Sequence, residues 1–249
     1  MDGTPFRAAV QSWRRVCPDL PEDSRPFDRV DARRHDAATT NGHYRRGMRP
    51  APRSTGSLRV AQVVSEVFGP APLLTFALVQ AGVGTAPHGV WTALLASLLI
   101  AVLPYAALIL LARSGRVSGR FVSERRQRGP ILACVLVSVL LGVSLLVWLG
   151  ADAGLLAVGI AAIIGLLVVT AVNLVWKLSI HAAIAAFVAI LQFGSLPVGL
   201  AAALLLVPLV VGWARVREGA HTTAQVVAGF GAGGAVFLAY LPILAALQG

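Results

Sequence analysis

Residues 130–176 read PILACVLVSVLLGVSLLVWLGADAGLLAVGIAAIIGLLVVTAVNLVW, a run whose one charged residue is Asp152. A helix crossing the hydrocarbon of a bilayer takes about 20 apolar residues, with a range of about 17–25. The run therefore holds two spans, 130–149 and 154–176, joined at Asp152. Two further apolar segments precede it, at 60–82 and 91–112, and three follow, at 179–194, 197–213 and 224–247. The fifth and sixth are short and read as a tight hairpin turning at Gly194-Ser195-Leu196-Pro197. The expected fold class is all-α integral membrane, a bundle of about six to seven transmembrane helices. Trp91, Trp148, Trp176 and Trp213 fall at segment ends, where amphipathic indoles settle at headgroup level.

The rest of the composition agrees. Hydrophobic residues make up 57% of the chain and charged residues 13%, against roughly 25% charged in soluble domains. Residues 1–57 hold eleven of the twenty arginines and seven of the eleven acids, so the chain divides near residue 58. The segment 1–57 has too little apolar surface to offset the entropy of ordering and is read as a disordered basic tail. The segment 58–249 is read as a polytopic membrane domain. The tail has no apolar stretch of the kind a secretory signal needs, and Met48 is an alternative start. Cys17 lies in the tail and Cys134 in an apolar segment, so no disulfide is expected.

A formal charge of +10 invites a nucleic-acid reading, but no motif supports it. Arginines beside apolar spans instead fit membrane topology and anionic headgroups. If all seven segments cross, the tail, the loop 113–129, the turn at Lys177 and the loop 214–223 share one side. That side carries every lysine and arginine and is expected to be cytoplasmic. If the first segment, with Glu66, Pro70 and Pro72, lies on the surface instead, the tail changes sides and the other charged loops stay together.

Two polar interruptions carry the chemistry. The first is Lys177-Leu178-Ser179-Ile180-His181, with the only lysine of the chain. The second is Ala214-Arg215-Val216-Arg217-Glu218-Gly219-Ala220-His221-Thr222-Thr223-Ala224-Gln225. Ionisable residues at a membrane boundary are costly and mark function by default. Gln225 stands four residues after His221, on one helix face if the last segment begins near Thr222 or Thr223. It would then bond one ring nitrogen of His221 and define the other. Thr222 or Thr223 would cap that helix, and Arg215 would grip two oxygens of a phosphate at once. Arg217 and Glu218 read as interfacial charges. Asp152 and Glu66 are isolated carboxylates without the repeated Asp-x-x-x-Asp pattern of a membrane prenyltransferase. Gly229, Gly231, Gly233 and Gly234 read as close helix packing.

The second interruption resembles the third signature of the type 2 phosphatidic acid phosphatase superfamily, the lipid phosphate phosphatases: Ser-Arg, five residues, His, three residues, Asp. Arg215 and His221 match, Ala214 replaces the serine and Gln225 the aspartate. The His-Thr-x-x-Gln form is similar to that of the dolichyl diphosphatase branch. Lys177 to His181 resembles the second signature, Pro-Ser-Gly-His, with Ser179 and His181 kept and Leu178 and Ile180 substituted. Arg125-Arg126-Gln127-Arg128-Gly129-Pro130 resembles the first, Lys, six residues, Arg-Pro, with Phe121 in the lysine position if Arg128 is the motif arginine. The likeness covers about residues 113–247 by order of motifs.

The resemblance implies a phosphatase that needs no metal or cofactor and hydrolyses a lipid phosphate, most nearly a polyprenyl diphosphate. His221 would be the nucleophile, forming a phosphohistidine. Gln225 would orient it, and His181 would be the general acid. Arg215, Ser179, Arg128, Lys177, Arg125 and Arg126 would bind the phosphate. Its partners would be the lipid substrate and the bilayer, with no nucleic acid. The arginine-rich loop serves equally well as a topological anchor. A catalytically silent relative that binds lipid phosphate or scaffolds a partner, and a small transporter, are the alternative functions.

Overall fold

The computed structural model describes residues 55–83, 85, 88–114 and 125–249, without the side chains of Thr55 and of 125–129. The expected tail, 1–57, lies almost wholly outside these. The described residues are helical, with no strand among them.

The helices are α1 (Thr55–Val67), α2 (Pro70–Gly82), α3 (Gly89–Ser97), α4 (Leu103–Arg113), α5 (Arg125–Trp148), α6 (Ala153–Val175), α7 (Ile180–Leu191), α8 (Val198–Leu204), α9 (Leu206–Arg217) and α10 (Thr223–Gln248). Local chemistry explains the breaks. Proline has no amide to donate and is tolerated at the first helical position, so the first span breaks at Gly69 and α2 restarts with Pro70. Pro104 likewise offers no amide to the carbonyl of Ile100. A π-helical turn over Leu98–Val102 precedes it, linking α3 to α4. Gly150 turns the chain in the left-handed region, at φ 63°. Asp152 then caps α6, its Oδ1 accepting the Gly154 amide at 2.8 Å.

Six stretches are long and apolar enough to cross a membrane: Gly56–Gly82, Gly89–Arg113, Pro130–Trp148, Ala153–Val175, Val198–Arg217 and Thr223–Gln248. The protein is a multi-pass membrane helical bundle. Its outer surface is hydrocarbon, with Leu110, Leu141, Leu174, Leu206 and Leu238 among the large apolar side chains left exposed. Soluble proteins rarely expose contiguous apolar patches beyond a few hundred Å². The four terminal tryptophans are all exposed as well.

The seven expected segments are corrected in two places. The fifth is shorter than the usual length of about 17–25 residues for a crossing: with its 3-10 extension it runs Ile180–Gly194. The sixth runs on through Arg217, so Arg215 belongs to a helix rather than to a loop 214–223. The hairpin between these two turns at Gly194–Pro197 as expected. Likewise, the expected loop 113–129 gives way to helix at Arg125.

The short helix α7 is the centre of the bundle. Nine of its twelve residues are buried, mostly alanines. Against it lies α10, and the contact is backbone to backbone. A Cβ built on Gly233 would come within 2.2 Å of the Ala183 carbonyl oxygen, and one on Gly229 within 2.7 Å of the Ser179 carbonyl oxygen. Glycine is therefore required at both positions for this approach. Gly231 and Gly234 face open space, so the packing expectation holds for half of the cluster. The seam fixes the register that brings the start of α7 beside the start of α10.

Candidate functional site

The corner between α9 and α10 is made of two interlocked helix ends. At the end of α9, Gly219 adopts φ 72°. Its amide donates to Val216 O at 3.0 Å, and the Ala220 amide to Arg215 O at 3.1 Å. This pair of reverse bonds around a left-handed glycine is a Schellman ending. The same Arg215 carbonyl also accepts the His221 amide at 3.3 Å. The spacing from arginine to histidine is thus set by a helix C-cap. Both Arg215 and Arg217 fall in the last turn, where the macrodipole favours cations.

At the start of α10, Thr222 is the cap. Thr222 Oγ1 accepts the Gln225 amide at 3.3 Å and Gln225 Oε1 accepts the Thr222 amide at 3.1 Å, a reciprocal capping box. That second bond identifies the Gln225 oxygen, since an amide nitrogen cannot accept it. His221 Nδ1 lies 3.3 Å from the same oxygen. Nδ1 therefore carries a hydrogen and donates, which in the neutral imidazole leaves Nε2 unprotonated. Gln225 does two jobs, capping the start of α10 and orienting the ring of His221.

The other interruption docks on this corner. Lys177 Nζ donates to the Ala220 carbonyl at 2.6 Å, and the Ser179 amide donates to the Gln225 carbonyl at 3.3 Å. Ser179 is fully buried, and its hydroxyl oxygen caps α7 by accepting the Ala182 amide. His181 is buried in the first turn of α7. Burial first, then the charges of Arg215 and His221, pushes its imidazole down to about 3.

Lys177, His181, Arg215 and His221 open together onto one cavity of about 510 Å³, within the range of ligand sites, about 300–1,000 Å³. Tyr105 and Asn173 are the other polar side chains on its walls; the rest are apolar residues and glycine from α2 to α7 and α10. Asn173 is committed to backbone, its Nδ2 donating to Val169 O and its Oδ1 accepting the Leu178 amide. Ser179 and Gln225 do not line the cavity; they stand behind the residues that do. Arg125, Arg126 and Arg128 lie in the first turns of α5, and their side chains are outside the described residues.

Three contacts escaped the sequence reading. Arg215 Nη1 pairs with Glu218 Oε2 at 2.6 Å, so Glu218, read as interfacial, is a half-buried partner of Arg215. The three-residue spacing on a helix was the available signal. Arg217, also read as interfacial, donates through Nε and Nη2 to Ser57 Oγ at 3.1 and 2.7 Å, tying α1 to the corner. Tyr105 donates to Glu66 Oε2 at 2.9 Å across two spans, a pairing no local spacing announces. Among the described residues, no group of three or more His, Cys, Asp or Glu is arranged to hold a metal ion.

Comparison with protein-family models, with curated proteins and with solved structures returned no match.

Proposed function

We propose that the protein is an integral membrane phosphatase of the lipid phosphate phosphatase type, acting on a phosphate carried by a lipid. The observation that carries the reading is the convergence of two cationic side chains and two histidines on one end of a cavity that is otherwise hydrocarbon. Such a cavity suits an anionic headgroup joined to an apolar tail. The His-Thr-x-x-Gln run adds a preference for a polyprenyl diphosphate or related isoprenoid phosphate.

In this mechanism Arg215 and Lys177 hold the phosphoryl oxygens, joined by Arg128 and its neighbours Arg125 and Arg126. Ser179 keeps the start of α7 in place. The lone pair on His221 Nε2 attacks phosphorus, the bond to the leaving oxygen breaks, and His181 delivers a proton to that oxygen. Burial first, and then the neighbouring cations, leave His181 unprotonated in the free protein, so in this mechanism it takes up its proton as the doubly charged phosphate enters, whose negative charge favours the imidazolium. Water then attacks the phosphohistidine, His181 takes its proton, and phosphate is released. Gln225 holds the imidazole in the productive tautomer but offers no full negative charge to the imidazolium, as an aspartate would.

The test is phosphate release by the purified protein from polyprenyl diphosphate and from phosphatidate, with EDTA present, in wild type and His221→Ala. The reading expects turnover that falls by at least about 10³-fold in the variant. Headgroup binding without turnover would point to a silent relative, and solute movement without phosphate release to a transporter. We also place the Lys177 and His221 end on the cytoplasmic side, because it gathers the basic residues. Labelling of a cysteine at Arg116, in a background without Cys17 and Cys134, from the outside only would reverse that orientation.

A further inference from the structure

Glu218 sits where helix energetics do not favour it. It is the C-cap of α9, and a carboxylate at a helix C-terminus meets the negative end of the macrodipole. Glu66 is bonded to Tyr105 and Asp152 caps α6. That leaves Glu218 as the described carboxylate at the cationic corner.

Its geometry is specific. The Arg215 and Glu218 side chains are 2% and 12% exposed, and the contact is 2.6 Å, short for a charge-assisted hydrogen bond. Arg215 lines the cavity and Glu218 does not. The carboxylate therefore grips one terminal nitrogen from outside the cavity while the guanidinium borders the ligand space. The Arg215 carbonyl meanwhile accepts the His221 amide. One residue thus links the phosphate grip to the nucleophile's backbone.

We infer that Glu218 is a positioning residue: it fixes the Arg215 guanidinium toward the cavity, so that a phosphate headgroup meets a preformed grip. This rests on the phosphatase reading for its substrate, though not for its geometry. A role confined to stability would lower the melting temperature and leave KM where it was. Positioning predicts a different pattern.

The experiment measures kcat, KM and melting temperature for polyprenyl diphosphate hydrolysis in wild type, Glu218→Ala and Glu218→Asp. Pyrophosphate binding is measured alongside, in Arg215→Ala backgrounds as well. KM is expected to rise about tenfold in Glu218→Ala, with a smaller change in kcat. Glu218→Asp keeps the charge but shortens the reach, so it should show the same direction, and it carries the test if the alanine variant does not fold. In the Arg215→Ala background, either Glu218 substitution should leave pyrophosphate affinity unmoved, since its effect passes through Arg215.

KM unchanged in both single variants while wild type turns over would overturn this inference alone. An equal effect with and without Arg215 would do the same. If no lipid is hydrolysed yet pyrophosphate binding still weakens in Glu218→Ala through Arg215, the phosphatase reading falls and the positioning role stands. No pyrophosphate binding by the wild type would defeat both.

Discussion

The cavity has two unlike walls. One is the corner where α7, α9 and α10 begin or end, built from short-range backbone motifs and holding Lys177, His181, Arg215 and His221. The other, from α2 to α6, is built by packing between spans and presents hydrocarbon, Asn173 and the tethered hydroxyl of Tyr105. Under the proposed function the first wall takes a charged headgroup and the second a lipid tail. A membrane-embedded helix can supply hydrocarbon anywhere along its length. Polar groups are cheapest near its ends, where caps and turns already gather unpaired amides and carbonyls. The division of labour in the cavity follows from that asymmetry.

The largest expected effect comes from breaking the seam that holds the first wall together. Gly233→Leu drives a side chain into the Ala183 carbonyl and should separate α7 from α10. Phosphate release should vanish, and stability should fall by about 3 kcal/mol. Gly231→Leu, which meets open space, is the control; equal loss in both would mean the seam has no special role.

Next is the tautomer. Gln225→Leu removes the acceptor from His221 Nδ1 and half of the capping box. It should lower kcat by about 10–100-fold with little change in KM. A pure rise in KM would place Gln225 in headgroup binding instead.

The smallest effect belongs to the second wall and sharpens the contrast. Gly165 lines the cavity, and a Cβ there meets only Val236, at ordinary contact distance. Gly165→Leu should raise KM for a long-tailed phosphate by about tenfold and leave a short-chain analogue unaffected. Equal losses on both would contradict separate sites for tail and headgroup.

Much of this was legible in the sequence because hydropathy reports spans directly. Even the shortness of α7 was readable, since 16 residues from Ser179 to Gly194 fall below the usual range of about 17–25 for a crossing. The link from His221 to Gln225 was readable too, because four residues make one helical turn. The end of α9 was misread since Arg215 and Arg217 look like a loop in a hydropathy trace, although arginines in a last turn are favourable. Gly219 was the missed stop signal.

Ser179 shows another ambiguity. A serine before an apolar run fits a phosphate ligand by resemblance and a helix cap by physics, and its hydroxyl oxygen caps α7. Contacts such as Tyr105 to Glu66 are set by how distant spans pack, and one sequence carries little trace of that.

The central claim is that His221 Nε2 is the attacking atom at the charged end of the cavity. The direct measurement is alkali-quenched labelling of the purified protein with a polyprenyl diphosphate radiolabelled in its terminal phosphate, followed by peptide mapping at alkaline pH. The account predicts an acid-labile, alkali-stable label on the peptide containing His221, absent in His221→Ala. Rapid phosphate release with the label on another residue, or undiminished turnover in His221→Ala, would contradict it.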